Sequence, residues 1–549
     1  MQNVSDNWKE LHKRTMLNES FVEVSLDIGD PDARRLADAK HNGAIYISSA
    51  ASELTNREDK TPMLYGTLEQ NLWCLDGNAK AIPEGDFGDT GFVSDAISDD
   101  GCIFSTKQPI ITINFPKVMD KAIPGVTIVW SNTYGEYPDT FTVRAFNGND
   151  IVAEKDVLGN RSVKTLVFVE VFNYDKIEII VKKWCLPNHR ARVEEILIGF
   201  NRIYGKSDLF DYSHSQSVDL VSTSLPKNEI KFAISNVDGE YNPLNASGLA
   251  KYLIEKQEVK ARYGLRKDDG SIEWIKGGTF YLSEWYAKQN GMTAEFTARD
   301  LLEFMSDIYE EDDDKYKAYI ASLAVGDTIS YSRNLYSLAE AVLKKAALPG
   351  HSEESPRWII DESLKHIETT APLPNDSLAV CLQLIANAAR CVLYQDREGV
   401  LRIEPIAKIV TDYSINSSNS YSKPEITLSK PIYQVNTMLY TYKKGENGVE
   451  SDSTRIGWIY DEKRIGETIT IDNPLITNGA MAMNEWLFYW LDHRMTLDTS
   501  WRPDVRLDVP DIVSVENEYG SNHVYMTEVE YKYNGAFRGT GKGKVIGNG

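Results

Sequence analysis

Apolar and polar residues alternate one by one along several short segments in the middle of the chain, which is the pattern of half-buried β-strands. Ile230–Ile234, Gly278–Trp285 and Met292–Ala298 all follow it. Lys288–Gly291 joins the last two segments, and its Asn-Gly step is the strongest short-range signal for a β-hairpin. Arg299 and Asp300 then precede apolar residues at helical spacing. This central stretch predicts a small β-barrel closed by a helix.

The N-terminal part of the chain begins with the same alternation and then stops short. Phe21–Ile28, Ala44–Ser48 and Tyr65–Trp73 are predicted as strands. The pattern ends near residue 85, before a closed barrel is possible. We therefore expect the partner strands of this segment elsewhere in the sequence.

A stretch of different character lies between Gly85 and Phe200. Short strands recur there about every ten residues, separated by turn residues and without a helical pattern. Such spacing is typical of a β-sandwich. We predict that this stretch is a domain inserted into the surrounding fold.

Helical spacing appears only later in the chain. Leu335, Leu338, Val342 and Ala346 mark one face of a predicted helix, and another follows Ser377. A hairpin comes after the second helix, so this part predicts a compact α+β unit.

The last third returns to strands with one long helix among them. Gln434–Tyr442, Thr468–Ile471 and Val524–Tyr533 are predicted strands, and Ala480–Leu491 has the spacing of a helix. These elements predict a second barrel with an associated helix.

The order of four motifs in the centre resembles a known family. Ile234–Pro243, Val259–Gly264, Gly278–Leu282 and Phe296–Leu301 are similar to segments of the tail hub and baseplate proteins of long-tailed bacteriophages and related tail-like particles. The resemblance covers roughly residues 15–80 and 206–540. It implies a pair of β-barrels with smaller domains, assembled as a trimer around the tail axis.

Pattern and resemblance together give a mainly β fold with α+β parts: two hub-type β-barrels, a small α+β unit and an inserted jelly-roll β-sandwich. The closing segment Val193–Phe200 makes that sandwich similar to galactose-binding-like modules. The predicted domains are residues 1–85 as an N-terminal segment of a hub barrel, 86–205 as the sandwich, 206–310 as a barrel with its helix, 311–430 as the α+β unit, and 431–549 as the second barrel with the long helix and the C-terminal tail.

Net charge and composition limit the kinds of partner that the chain is expected to bind. The formal net charge of −22 over 549 residues argues against nucleic acid or an anionic membrane as a partner, because phosphate groups bind basic surfaces. No apolar run reaches about 18 residues and the N-terminus has no signal-peptide core, so synthesis in the host cytoplasm without a membrane span is expected. The expected location is the tail tip or baseplate of a particle.

Catalytic and metal-binding patterns are not evident in the sequence. The five cysteines at positions 74, 102, 185, 381 and 391 are scattered, which favours free buried thiols over disulfides or zinc. The acidic run Glu310–Lys315 lacks the spacing of a calcium loop, so a solvated linker is favoured. No nucleophile, zinc or phosphate-loop motif occurs, and we expect neither catalytic residues nor a cofactor.

One segment of the predicted sandwich has the composition of a ligand site. Trp130, Asn132, Tyr134 and Tyr137 place three aromatic rings and an amide in one strand-to-loop segment, which suits the apolar faces and hydroxyl rims of sugars. The plainer interpretation, which we favour, is that Trp130 lies in the core and that both tyrosines pack on a neighbouring subunit.

The expected function is therefore structural. We predict a hub-like component of a phage or phage-derived tail, partnered by other tail or baseplate proteins and by two further copies of itself, with possible host attachment through a surface polysaccharide. Two alternatives stay open: a carbohydrate-active enzyme carrying a β-sandwich binding module, and a soluble monomeric adhesin.

Overall fold

The computed structural model describes residues 2–14, 18–42, 54–55, 69, 91–287, 291–309, 326, 329, 332–351, 356–406, 410–445, 448–459 and 465–548. The predicted strands Ala44–Ser48 and Tyr65–Trp73, most of the connection Lys288–Gly291, the acidic run Glu310–Lys315 and Cys74 lie outside these residues. Within the described part, strands far outnumber helices, so the predicted mainly β class with α+β parts is confirmed.

The strands of the first half are β1 (Ser20–Ile28), β2 (Asp38–His41), β3 (Phe92–Ile97), β4 (Ile110–Met119), β5 (Ile123–Val129), β6 (Pro138–Asn147), β7 (Asp150–Leu158), β8 (Lys164–Val171), β9 (Tyr174–Trp184), β10 (Arg190–Val193), β11 (Glu195–Ile198), β12 (Phe200–Tyr204), β13 (Leu209–Ser217), β14 (Lys227–Ser235), β15 (Glu258–Arg266), β16 (Ile272–Ala287) and β17 (Thr293–Arg299).

The strands of the second half are β18 (Arg333–Asn334), β19 (Trp358–Ile360), β20 (Glu368–Thr369), β21 (Val392–Gln395), β22 (Leu401–Glu404), β23 (Val410–Ile415), β24 (Glu425–Leu428), β25 (Ile432–Gly445), β26 (Gly448–Ile459), β27 (Glu467–Ile471), β28 (Met495–Trp501), β29 (Ile512–Asn517), β30 (Gly520–Tyr533) and β31 (Phe537–Asn548). The α-helices are α1 (Asp6–Lys13), α2 (Pro31–Leu36), α3 (Leu335–Ala346), α4 (Leu378–Ala388) and α5 (Ala480–Leu491).

The chain divides into two compact units. Unit one consists of Met1–Val24, Tyr204–Val237 and Val259–Gly549. Unit two consists of Ser25–Ile203 and Asp238–Glu258. The strand β1 begins in unit one and continues into unit two.

Unit one is built on a large, mostly antiparallel sheet. Its strands follow the order β15, β16, β17, β14, β13, β30, β31, β28 and β24, with β1 next to β15 and with β29 joining β30 to β23. The pairing of β13 with β30 runs without interruption from Tyr212–Tyr533 to Ser217–Glu528. Residues separated by about half of the sequence are thus neighbours in one sheet.

Alternation along these strands directs one set of side chains inward. Tyr212 and His214 of β13 are buried together with Tyr531 of β30 and Tyr263 of β15. The predicted helix after Asp300 is a short 3-10 turn, Leu301–Met305, and the Asp300 carboxylate accepts a hydrogen bond from the Leu302 N–H at 3.0 Å.

The helices of unit one cover smaller sheets. The predicted helices α3 and α4 are confirmed, and their buried leucines and alanines form one apolar cluster. The long helix α5 packs on β25 and β26, which form a three-stranded sheet with β27. The helix also lies beside the large sheet, where the Trp490 ring is 6.0 Å from that of Tyr525 on β30 and the Trp490 carbonyl accepts a hydrogen bond from Lys544 of β31 at 3.3 Å.

The helix α1 was missed by the sequence pattern. Ser5 caps it by accepting the Trp8 N–H at 3.2 Å, and the Trp8 side chain is buried. The indole Nε1–H of Trp8 donates to the Asp504 carboxylate at 3.2 Å. An amphipathic segment of eight residues becomes a stable helix here because it docks on distant residues.

Unit two contains two sheets that share one core. The sheet β2-β4-β9-β6-β7 and the sheet β11-β5-β8 contribute their alternate apolar residues to it, and β3 pairs with β10. Ile113, Val143 and Ile179 come from the first sheet, and Ile128 and Ile196 come from the second. Two antiparallel sheets packed on a common apolar layer are a sandwich arrangement.

Candidate functional site

The candidate segment 130–137 is the connection between β5 and β6 in unit two. Ser131 and Glu136 close it, because the N–H of each donates to the carbonyl of the other at 3.2 and 3.1 Å. Gly135 lies in the left-handed region, with a φ of 67°, which a residue without a side chain adopts at little cost. The segment is therefore a short, internally bonded turn.

Trp130 lies in the core beneath this turn. Its side chain is 0% exposed, and its Nε1–H donates to the Thr165 hydroxyl at 2.9 Å. Phe141 and Trp184 contact the indole edge-to-face, with centroid separations of 5.0 and 6.3 Å. The ring supports the turn from below and presents no face to a ligand in this structure.

The other predicted residues are nearer the surface than Trp130. Asn132 is exposed, and its side-chain amide donates to the Glu194 carboxylate at 3.1 Å. Tyr134 is half-buried, with the Arg192 guanidinium 4.9 Å from its ring centre. Tyr137 is half-buried at the far end of the turn, where its N–H donates to the Cys185 sulfur at 3.4 Å. Asn132 and Tyr134 thus contact Glu194 and Arg192, which lie two residues apart in sequence at the end of β10.

Glu194 anchors the exposed side of the turn. Its carboxylate accepts the Asn132 N–H at 2.8 Å and the Thr133 N–H at 3.4 Å. Burial raises the pKa of Glu194 above its ordinary value, and the two N–H groups oppose this shift by stabilising the anion. The carboxylate thus ties the turn to the end of β10.

A buried polar cluster beneath the turn was not found from the sequence. Glu136 accepts hydrogen bonds from the Trp184 Nε1–H at 2.8 Å and from the His189 ring at 2.9 Å. The Arg192 guanidinium lies 3.8 Å from Glu136 and makes a two-point contact with Glu69. All of these side chains are buried. Glu136 lay within the candidate segment, but no sequence pattern connects it with the other members.

The side chains of this cluster bind mainly one another. The Arg192 guanidinium contacts both carboxylates, and Glu136 is also held by an indole and an imidazole. A pair of carboxylates for glycoside chemistry needs one that holds a proton and one that does not, facing each other across the substrate. Glu69 and Glu136 instead converge on one cation.

Unit one contains a polar groove of about 540 Å³ on the face of its large sheet. Its floor includes a row of side chains across neighbouring strands: Glu425, Asp498, Lys542, Glu528 and Ser217. Glu425 and Asp498 are therefore neighbours on one floor, and they do not face each other across a cleft.

The chain is expected from its sequence to hold neither a metal ion nor a membrane span. Among the residues that the structure describes, no cluster of three or more His, Cys, Asp or Glu side chains is arranged to hold a metal ion. In the same part of the chain, no helix is long and apolar enough to span a membrane.

Comparison with known proteins gives similarities in structure alone. No protein-family model matches the sequence, and no curated protein matches it. The chain is similar to a tail protein from Neisseria meningitidis MC58, with a TM-score of 0.42 and 10% identity over 63% of this chain and 94% of that one.

Two prophage proteins are similar as well. The 43 kDa tail protein of prophage MuSo2 from Shewanella oneidensis has a TM-score of 0.39 and 12% identity over 62% of this chain and 95% of that one. The prophage tail protein gp18 from Listeria monocytogenes EGD-e has a TM-score of 0.37 and 13% identity over 63% and 91%.

Proposed function

We propose that this chain is a hub-like structural component of the tail end of a phage or phage-derived particle. One observation carries the proposal. Three of the four segments that resemble tail hub and baseplate proteins lie on β15, β16 and β17, and the segment Ile234–Pro243 begins at the end of β14 and continues into the turn after it. These four strands are consecutive neighbours in the order β15-β16-β17-β14, so motifs collected from about 70 residues of sequence gather at adjacent strands.

The proposed assembly is a homotrimer around the tail axis that binds other tail or baseplate proteins. Two barrel regions per chain give six in a trimer, which matches a sixfold tail. Native mass spectrometry of the purified chain at micromolar concentration is expected to show the trimer. Immunogold labelling of particles from an induced host culture is expected to mark the tail end. Labelling confined to the capsid, or a monomer in the intact particle, would overturn the proposal.

The proposed role of the turn at 131–137 is contact with a host-surface glycan or with a neighbouring tail protein. Asn132 and Tyr134 support either contact, because the amide is exposed and the ring is half-buried. Losing one stacking ring from a glycan site costs on the order of 1 kcal/mol, or roughly tenfold in affinity.

Replacing both tyrosines, Tyr134→Ala with Tyr137→Ala, separates the two roles. Glycan contact predicts particles that assemble normally and adsorb poorly, whereas protein contact predicts a failure of assembly. The matched control is Tyr519→Ala, which removes a ring that is 94% exposed in unit one. Normal assembly together with normal adsorption would exclude both roles for this turn.

A further inference from the structure

The three-stranded sheet β26-β25-β27 of unit one has one covered face and two outer strands. Helix α5 covers the face: its Phe488 contacts Trp458 of β26 edge-to-face at 4.9 Å, and its Asn484 donates to the Ile456 carbonyl at 2.8 Å. In the part of the chain that the structure describes, β26 and β27 each pair with β25 alone. Each therefore turns one edge outward.

The outer edge of β26 is long and regular. Its register with β25 continues without a shift from Gln434–Ile459 to Gly445–Gly448, so twelve residues pair in sequence. The two residues between Gly445 and Gly448 make that pair the closing pair of a hairpin. Alternate residues, among them Ser451, Ser453 and Arg455, then direct their N–H and carbonyl groups outward. All side chains from Glu450 to Arg455 are exposed.

Two other outer strands carry bulges, prolines or short length that prevent pairing; β26 has none of these, and its exposed charges are Glu450, Asp452 and Arg455. The register of β7 shifts between Ala145 and Phe146 of its partner, and Lys155 of β7 lies on the core side of its sheet. The strand β24 has four residues and stands between Pro424 and Pro431. Bulges, inward-pointing charges, short length and proline are the usual protections of an edge. The strand β26 has no proline, lysine or bulge.

We propose that β26 is a docking edge for a second copy of this chain, which adds its β27 there. The outer edge of β27 is also unpaired in the described part of the chain, and pairing β26 of one copy with β27 of the next uses both edges. β27 has five residues, and its register with β25 shifts between Ile432 and Gln434. Where the rotation between copies closes, such head-to-tail contacts form a ring that covers the edge of β27 and the five residues of β26 that face it. Pairing of β26 with β26 across a twofold axis would leave both β27 edges open.

Strand direction fits this contact. β27 is parallel to β25, and β26 is antiparallel to it. Copies related by a rotation about an axis along the strands therefore bring β26 and the next β27 together antiparallel, which is the commoner and more stable pairing.

A register without charge conflict exists for this contact. Ile456 of β26 and Ile471 of β27 both align with Thr437 of β25, so the isoleucines of the two strands share the face under α5. Placing Ile456 opposite Ile469 of the next copy also places Arg455 opposite Thr470. No two like charges then stand opposite each other, which would weaken cross-strand pairing. The inference deepens the proposed trimer and rests on it.

A cross-linking experiment tests the contact on the full chain. The double variant Arg455→Cys with Thr470→Cys, treated with a short bis-maleimide, is expected to give a covalent ladder that ends at the size of the ring. The two single variants and the unmodified chain, which control for the native thiols, are expected to stay at background. A ladder in which Ser453→Cys alone yields dimers would establish twofold pairing and overturn the proposal.

A second variant tests the same contact without introducing a cysteine. Thr470→Lys places a lysine opposite Arg455 of the next copy in this register and is expected to weaken assembly at least about tenfold, read by native mass spectrometry. The matched control is Val152→Lys on the protected edge β7, which is expected to assemble normally. Circular dichroism checks that both variants fold. A lysine variant that stays trimeric would overturn this contact and leave the proposed function intact. A monomeric parent chain that still labels the tail end would also overturn the contact alone.

Discussion

Both units bury an arginine, and the partners of the two arginines differ in kind. In unit one, Arg397 is 3% exposed and donates to Asp508, to the Val505 carbonyl and, at 2.8 Å, to the Leu507 carbonyl. In unit two, Arg192 makes its strongest contacts with the carboxylate of Glu69 and stands near Glu136. The first arginine binds mainly backbone, and the second binds mainly side chains.

The difference predicts different responses to mutation and pH. Main-chain carbonyls cannot take up a proton, so they stay unsatisfied when a buried donor is removed. Carboxylates can be neutralised by protonation, so removing their arginine costs less as the pH falls. The cost of removing the buried arginine is thus expected to be independent of pH in unit one and to depend on pH in unit two.

The substitution Arg397→Met is expected to have the largest effect. It removes the arginine donor of the Val505 carbonyl and the cation paired with Asp508, whose side chain is 22% exposed. The Leu507 carbonyl keeps a hydrogen bond from the Tyr531 hydroxyl. The expected cost is about 3–5 kcal/mol. Hydrogen exchange followed by mass spectrometry reads the loss of protection in unit one separately from unit two.

The control is Arg402→Met: its side chain is 29% exposed and pairs with Asp396 at 2.6 Å. Its expected cost is about 1 kcal/mol or less, and equal losses for the two variants would contradict the comparison.

The substitution Arg192→Met is expected to destabilise unit two by about 3 kcal/mol near neutral pH, because Glu69 and Glu136 lose their shared cation. The loss is expected to shrink as the pH falls, because protonation neutralises carboxylates that have lost their cation. Hydrogen exchange of Arg397→Met, measured at the same pH values as that of Arg192→Met, provides the contrast, because the stability lost in that variant is not expected to shrink as the pH falls. A loss in Arg192→Met that is independent of pH would remove the distinction between the two units.

Asp300 is expected to make the stability of unit one fall as the pH rises. Burial raises its pKa to about 7 from an ordinary value of 3.8. The folded carboxyl keeps its proton up to about pH 7, whereas the unfolded one releases it near pH 4. Its stabilising contribution is therefore complete below pH 4 and is lost as the pH rises to 7. Asp300→Asn, which keeps the oxygen that caps Leu302, is expected to stabilise unit one above pH 7 by about 2 kcal/mol in urea unfolding. No gain at high pH would count against a buried, protonated Asp300.

His214 is expected to have a smaller effect of the opposite sign, making the stability of unit one fall as the pH falls. Burial, and then the positive charge of Arg397, lowers its pKa to about 4 from 6.5. The neutral ring fits its partners, with Nε2–H donating to Asn228 and Nδ1 accepting from Tyr263, both at 2.8 Å. Between pH 6.5 and 4 the unfolded state binds a proton that the folded state does not, so stability falls as the pH falls.

The substitution His214→Gln is expected to remove this dependence. The urea midpoint of unit one should then fall less between pH 6.5 and 4 than it does in the parent chain, by about 1 kcal/mol in unfolding free energy. His493→Gln is the matched control, because His493 is partly exposed on the surface after α5 and contacts no buried charge. An unchanged slope in His214→Gln would show that His214 is not the titrating group.

Periodicity by itself determined the elements whose partners lie close in sequence. The alternation at Ile230–Ile234 and Met292–Ala298 predicts β14 and β17, and the helical spacing predicts α3, α4 and α5 within a residue or two. The sequence also determined the mainly β class, because alternation recurs over most of the chain. The domain boundaries and the glycan contact at Asn132, Tyr134 and Tyr137 stay predictions.

Tertiary structure alone decided which polar residues are buried together. Glu69, Glu136 and Arg192 lie far apart in sequence, and so do Arg397 and Asp508, yet each set meets in one buried contact. Trp130 left two interpretations open, and only the packing of Phe141 and Trp184 around it assigns the ring to the core. The physical reason is that a local pattern records which face of an element is apolar, whereas the satisfaction of a buried charge depends on which distant segment the fold brings to it.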